Sequence, residues 1–195
     1  MALEKDTTAF LVMDFVNDIV HEKGAFAGLG IPAHVAKQHA IENTKTVIEK
    51  ARKAGFPVIY VKVEYAAGYP EVKDVPAPIQ QMTGQSGALL KGTWGTQIHD
   101  ALAPLPGEQI FSKSRISPFT NPEFKKVVSA YKTLVLAGVA TNFVVESTAR
   151  EAGDAGYDVV VLSDCCASMN DAMHDFSMQN ILPNFGRVMT SADIF

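Results

Sequence analysis

From Leu134 to Asp164 the chain reads as strand, tight turn, helix, turn and strand. Two adjacent strands joined through a helix run parallel, because a helix returns the chain to the same end of the sheet. Further short apolar runs at Ala9 to Met13, Val58 to Val63, Val159 to Leu162 and Val188 to Met189 predict buried strands, with a weaker one at Gln109 to Phe111. Helical patterns lie between them. Ala36, Ala40, Val47, Ile48 and Ala51 share one face of a predicted helix that ends at Gly55, with Pro57 beyond. A second helix is predicted from Asn142 to near Gly156, where Glu146 and Arg150 stand four apart, and a third from Asp171 to Leu182, stopped by Pro183. The expected fold class is therefore a three-layer α/β/α sandwich with a mostly parallel sheet covered on both faces. Tyr65 to Gly95 has little periodicity and many Gly and Pro residues, so it is expected to cross the surface as a loop with short helical pieces, able to close over a pocket.

Nothing in the 195 residues resembles a polar linker, and a single domain over 1–195 is expected. A net charge of -4 argues against an electrostatic nucleic-acid binder and leaves a small molecule as the expected partner. The apolar start around FLVM is broken by Asp14, and no apolar run approaches the roughly 20 residues of a membrane helix. A soluble, cytoplasmic protein without membrane association is expected. The two cysteines, Cys165 and Cys166, are neighbours, which rules against a disulfide framework and fits a reducing compartment.

Ligands of open parallel sheets bind beyond the carboxyl ends of the strands, and three segments are predicted to meet there. Asp14 ends the first strand, Lys113 follows the strand in EQIFSKSRISPF, and Gly138 to Val144 form a turn and the first helical turn. A carboxylate, an ammonium and the unpaired N–H groups of a helix start make a usable constellation, with Asp14 as the proton-transfer group. Burial and the charge of Lys113 push the Asp14 pKa in opposite directions. Val144 falls in that first helical turn, where a cysteine thiolate would be stabilised. Valine offers no nucleophile. Phe15, Tyr65, Trp94 and Phe119 are candidates to line a substrate pocket, and Asn17 and Asp18 are candidates to fix the loop that orients Asp14, Asn17 the better of the two. Arg115 and Lys91 could contact a substrate carboxylate, although solvation at the surface is the default for both. The five histidines are scattered and Glu64 has none at ligand spacing, so no metal is expected, and no cofactor.

The motifs LVMDFVND, GTWGTQIHDALAPLPGEQIFSKSRISPF, LAGVATNFVVESTAREAGDAGYDVVVLSD and the DCCAS turn occur in an order that resembles the isochorismatase-like hydrolases, also called the cysteine hydrolase family, along nearly the full length. The resemblance implies a Rossmann-like α/β/α fold and a homodimer or homotetramer. It also implies an Asp, Lys, Cys triad carried onto Asp14, Lys113 and the position of Val144, with an oxyanion turn and cis peptide at Val139, Ala140 and Thr141. Hydrocarbon at 144 cannot form the thioester through which such enzymes cleave amides. The expected activity is therefore cysteine-independent, acid-catalysed hydrolysis of isochorismate or a related vinyl ether, releasing pyruvate. The alternatives are an amide or carbamoyl hydrolase inactivated by Cys→Val at 144, and a non-catalytic ligand-binding homologue.

Overall fold

The computed structural model describes residues 3–194. Its sheet has six parallel strands in the order β3-β2-β1-β4-β5-β6, where β1 is Thr8–Met13, β2 Val58–Val63, β3 Gln109–Lys113, β4 Thr133–Val139, β5 Asp158–Ala167 and β6 Arg187–Met189. All pairings are parallel, a stricter arrangement than the mostly parallel sheet expected. Alternation along β1 shows how the core is divided. Phe10 and Val12 pack with Val47, Ile48 and Ala51 of helix α3 (Ala40–Ala54), while Ala9, Leu11 and Met13 pack with Phe124 and Val128 of α5 (Pro122–Val128) and Ala149 and Ala152 of α6 (Glu146–Asp154). Both faces are thus covered, which explains the continuous apolar runs of the central strands.

Several boundaries differ from the sequence reading. Ala36 is exposed and belongs to a separate helix, α2 (Ile31–Lys37), which the short α1 (Asn17–Val20) precedes; the chain breaks at His39, whose φ of 51° ends one helix and opens the next. The helix after β4 opens with a wide π turn at Thr141–Val145 before α6, and the Glu146–Arg150 pair forms at 3.0 Å. Lys113 is the last residue of β3 rather than a residue following it. Cys165 and Cys166 lie within β5, not in a turn beyond it, because a register shift opposite Leu136 and Gly138 lets that strand run on to Ala167. After Asp171–Phe176 (α7), the third predicted helix widens into a π turn and ends in a 3-10 turn over Leu182–Asn184. The 65–95 tract contains helix α4 (Pro78–Ser86) and a 3-10 turn at Trp94–Thr96. No helix among the described residues is long and apolar enough to cross a membrane.

The strand order reverses between β1 and β4, and the crevice opens there at the carboxyl ends. Gly138, next to last in β4, permits the close approach this requires. A Cβ on it would stand 2.9 Å from the Met13 carbonyl oxygen and 3.1 Å from a methyl of Val145.

Candidate active site

Asp14 leaves β1 in the left-handed region, with φ 59°, while its N–H still donates to the Val61 carbonyl at 2.8 Å. Such a conformation is uncommon for a residue other than glycine and turns the side chain out of the strand's alternation. Lys113 comes from β3, two strands away across β2, a lateral span of about 10 Å at ordinary strand spacing. The lysine stem bridges it. Nζ donates to Asp14 Oδ2 at 2.7 Å and to the Arg115 carbonyl at 3.0 Å, and both partners of the ion pair are buried. Asp14 Oδ1 is buried and has no hydrogen-bond partner among the described residues. Desolvation raises the Asp14 carboxyl above its ordinary value, and the adjacent ammonium opposes that rise without cancelling it.

The pair stands at one wall of a pocket of about 630 Å³, its open mouth included. Val139, Ala140, Phe143 and Val144 contribute the wall from the end of β4, and the Val139–Ala140 peptide bond is cis. Val144 is buried against the same pocket as Asp14 and Lys113, with its carbonyl accepting from Thr148 Oγ1 at 2.6 Å. Phe26, Leu29, Ile31 and Met169 form an apolar side, and Ile79, Gln80, Met82 and Thr83 of α4 form the cover. The tract read as a surface loop therefore supplies a cover to the site. Two ties hold the surrounding loops: Asp18 accepts from the Leu89 N–H at 2.7 Å and the Ala25 N–H at 3.2 Å, and Asn17 Nδ2 donates to the Trp94 carbonyl at 3.0 Å.

Of the pocket candidates read from sequence, Tyr65 lines the cavity and the others do not. Phe15 points into the core on the α3 side of the sheet; its carbonyl accepts from the His99 N–H at 2.8 Å. Asn17 acts through its loop contact only. Trp94 is 45% exposed and meets the edge of His21, outside the cavity. Phe119 packs at 5.3 Å, edge to face, on Phe124 beneath the opposite face of the sheet. Thr141 follows the cis peptide but its hydroxyl turns inward. It donates to the Ala167 carbonyl at 3.0 Å and so accepts from His174 Nδ1–H at 2.8 Å, which fixes that histidine's tautomer. Arg115, given a solvated surface as its default, lines the pocket, whereas Lys91 is exposed and lies 3.9 Å from Glu64. The apolar residues from 26–31 and Met169 were not singled out from sequence. Phe143 was within reach, since it adjoins Val144 in the turn that was.

The two cysteines do not replace the absent nucleophile. Both are buried away from the pocket, and burial pushes the Cys166 thiol up to about 12 and that of Cys165 higher still. A thiol held protonated and covered is inert.

An isochorismatase domain model matches residues 8–193. Among curated relatives, the ureidoacrylate amidohydrolases RutB of Rhizobium rhizogenes and of Caulobacter vibrioides are each 32% identical, covering 99% of this chain and 84% and 92% of their own lengths. Among solved structures, an isochorismatase-like hydrolase from Alkaliphilus metalliredigens superimposes with TM-score 0.74 at 27% identity, covering 95% of this chain and 96% of that one. An isochorismatase family protein from Burkholderia thailandensis gives TM-score 0.74 at 26% identity, covering 99% and 95%. The two curated relatives are named for amide rather than ether hydrolysis, which favours the amide alternative over the vinyl ether expected from sequence. With the domain model spanning nearly its whole length and full-length relatives at 32% identity, the chain belongs to the isochorismatase-like hydrolases.

Proposed function

We propose that this protein hydrolyses a small amide or ureide by activating water directly at Asp14, without an acyl-enzyme. The observation that carries the reading is the sharing of one pocket by the Asp14–Lys113 pair and the hydrocarbon side chain of Val144. The names of the amidohydrolase relatives support the substrate class. Burial makes Asp14 a stronger base than a free carboxylate, and Lys113 favours its ionised form. Water gives a proton to Asp14 and its oxygen bonds to the substrate carbonyl carbon, whose π electrons move onto the carbonyl oxygen. The Phe143 and Val145 N–H groups already donate to the Ala140 carbonyl, so a developing oxyanion would take its donors from the remaining N–H groups of this helix start. Collapse breaks the C–N bond, and the proton held on Asp14 passes to the leaving nitrogen.

A second reading rests on Asp14 Oδ1, which is buried, unpartnered and raised in pKa, and so can hold a proton. There Asp14 protonates the carbon of an enol ether of the isochorismate type, water adds to the resulting cation, and pyruvate leaves together with a dihydroxycyclohexadiene carboxylate. The deciding experiment offers the purified protein a panel of small amides and ureides with ammonia detection, and isochorismate with lactate dehydrogenase coupling, each repeated with Asp14→Asn. Ammonia release lost in the variant supports the first reading; pyruvate release lost in the variant supports the second. Turnover that survives Asp14→Asn, or a covalent adduct on the native chain during turnover, rejects both. Turnover of nothing by the native chain, with amidase activity appearing in Val144→Cys, marks an inactivated branch.

A further inference from the structure

Arg115 is a cation in an apolar pocket with no carboxylate of its own. Its Nη1 donates to the Glu71 carbonyl at 2.7 Å and to the Ser114 carbonyl at 2.9 Å, contacts that pin the guanidinium in place but leave its charge uncompensated. Nε and Nη2 have no partner among the described residues, and no ion pair includes this side chain. Other cations withdrawn from water are paired with carboxylates: Lys113 with Asp14, Lys62 with Glu64 and Arg52 with Glu108, each at 2.7 Å. Tyr65 lines the same pocket, close enough to Asp14, Arg115 and Glu71 to feel their charges, and its hydroxyl has no hydrogen-bond partner among the described residues. Burial pushes its pKa to about 12, so it is a neutral O–H donor across the working pH range.

We propose that Arg115 and the Tyr65 hydroxyl form an anion subsite that selects substrates carrying a carboxylate on an apolar body. A guanidinium fork and a hydroxyl on one cavity wall suit the two oxygens of a carboxylate, and Arg keeps its charge at all relevant pH values. Much of the remaining lining, including Phe26, Ile31, Met82, Phe143 and Met169, suits hydrocarbon and would leave a second charge desolvated. Lys113 Nζ touches both Asp14 Oδ2 and the Arg115 carbonyl, so a carboxylate held by Arg115 keeps its substrate beside the Asp14–Lys113 pair. This assignment deepens the hydrolase reading by naming its substrate class, and it is tested by binding alone, so it stands or falls separately from turnover.

The probes are benzoate and hexanoate against their uncharged counterparts benzamide and hexanamide, measured by isothermal titration and thermal shift on the native chain, Arg115→Gln, Arg115→Lys and Tyr65→Phe. Expected is a preference of the native chain for each carboxylate over its amide, with the carboxylate-to-amide affinity ratio falling ten-fold or more in Arg115→Gln, partly kept in Arg115→Lys and reduced in Tyr65→Phe. Benzoate binding should also weaken as salt is raised. If the native chain binds carboxylate and amide alike, or binds neither, the subsite is rejected; so too if Arg115→Gln keeps the carboxylate preference. Should Arg115→Gln fail to fold, the native carboxylate-to-amide ratio and the Arg115→Lys value decide the matter. Carboxylate binding without hydrolysis of any amide or ureide would uphold the subsite while removing the water-activation mechanism.

Discussion

Lys113 Nζ lies 2.7 Å from Asp14 Oδ2 although 99 positions separate the two residues in the chain, and both are almost fully removed from water. A buried pair of this kind is weak evidence for net stability, because desolvation offsets most of the attraction. Its geometry matters more. The lysine closes one carboxylate oxygen and leaves the other toward the chemistry.

Removing the lysine exposes that balance. Lys113→Ala leaves an uncompensated buried carboxylate, with an expected cost of about 3–5 kcal/mol at neutral pH. The Asp14 pKa in the folded state is already raised, and loss of the ammonium raises it further while the unfolded value stays near that of free Asp. A raised folded pKa favours folding where the group is protonated and loses that contribution as pH climbs through the folded pKa. The deficit of Lys113→Ala relative to the native chain therefore grows as pH rises from the native folded pKa of Asp14, already above the ordinary Asp value, toward the still higher folded pKa of the variant. Urea denaturation at pH 4.5 and 7.5 checks this, and an equal deficit at both would contradict it.

Activity should report the charge state of Asp14 through its pH dependence. Used as a base, it gives a rate that rises with pH through a value above the ordinary Asp range and then levels; used as an acid, it gives a rate that falls through the same value. A kcat/KM profile of the native chain distinguishes the two, and Asp14→Asn should lower either rate at least about 100-fold.

Val144→Cys places a thiol in the first turn of the helix after β4, beside the pocket, where the helix start lowers thiol pKa. Iodoacetamide at neutral pH should modify residue 144 of the folded variant and leave Cys165 and Cys166 untouched, as their raised pKa values and burial require. Peptide mass mapping reads the result. Labelling of the native folded chain at either natural cysteine would contradict the inert assignment.

The loops around the pocket depend on Asp18. Its carboxylate receives the Leu89 and Ala25 N–H groups and packs so tightly on Gly95 that a Cβ there would fall 2.2 Å from Oδ2. Asp18→Ala is expected to cost about 1–3 kcal/mol by leaving those donors unpaired, and to speed amide hydrogen exchange in 66–95 more than in the central strands. Uniform acceleration across the chain would argue against a local role.

Thr141→Val tests the support behind the cis turn. The hydroxyl is wholly buried between the Ala167 carbonyl and His174 Nδ1, so a methyl in its place strands both partners and should cost about 1–3 kcal/mol in thermal or urea unfolding.

The sequence by itself determined the strands, their alternation with helices and the hydrocarbon at 144, because these are local facts of residue type and spacing. Apolar runs such as Leu134 to Ala137 have one stable fate, burial within a sheet covered on both sides. The positions of Asp14, Lys113 and the GVATN turn at strand ends also followed, since parallel strands share an edge. Only the tertiary structure decided which side chains face the crevice. Phe119 and Trp94 carry the same aromatic signal as Tyr65, yet one packs on Phe124 under the opposite face and the other meets His21 outside, while Tyr65 enters the pocket. Arg115 was indistinguishable from a solvated surface charge until Glu71 and Ser114 were seen to hold it inside. The reason is physical: burial within an element is set by its own periodicity, but a loop residue faces wherever distant segments leave room, and that is fixed by contacts as far apart as Asp18 with Leu89 and Asp14 with Lys113.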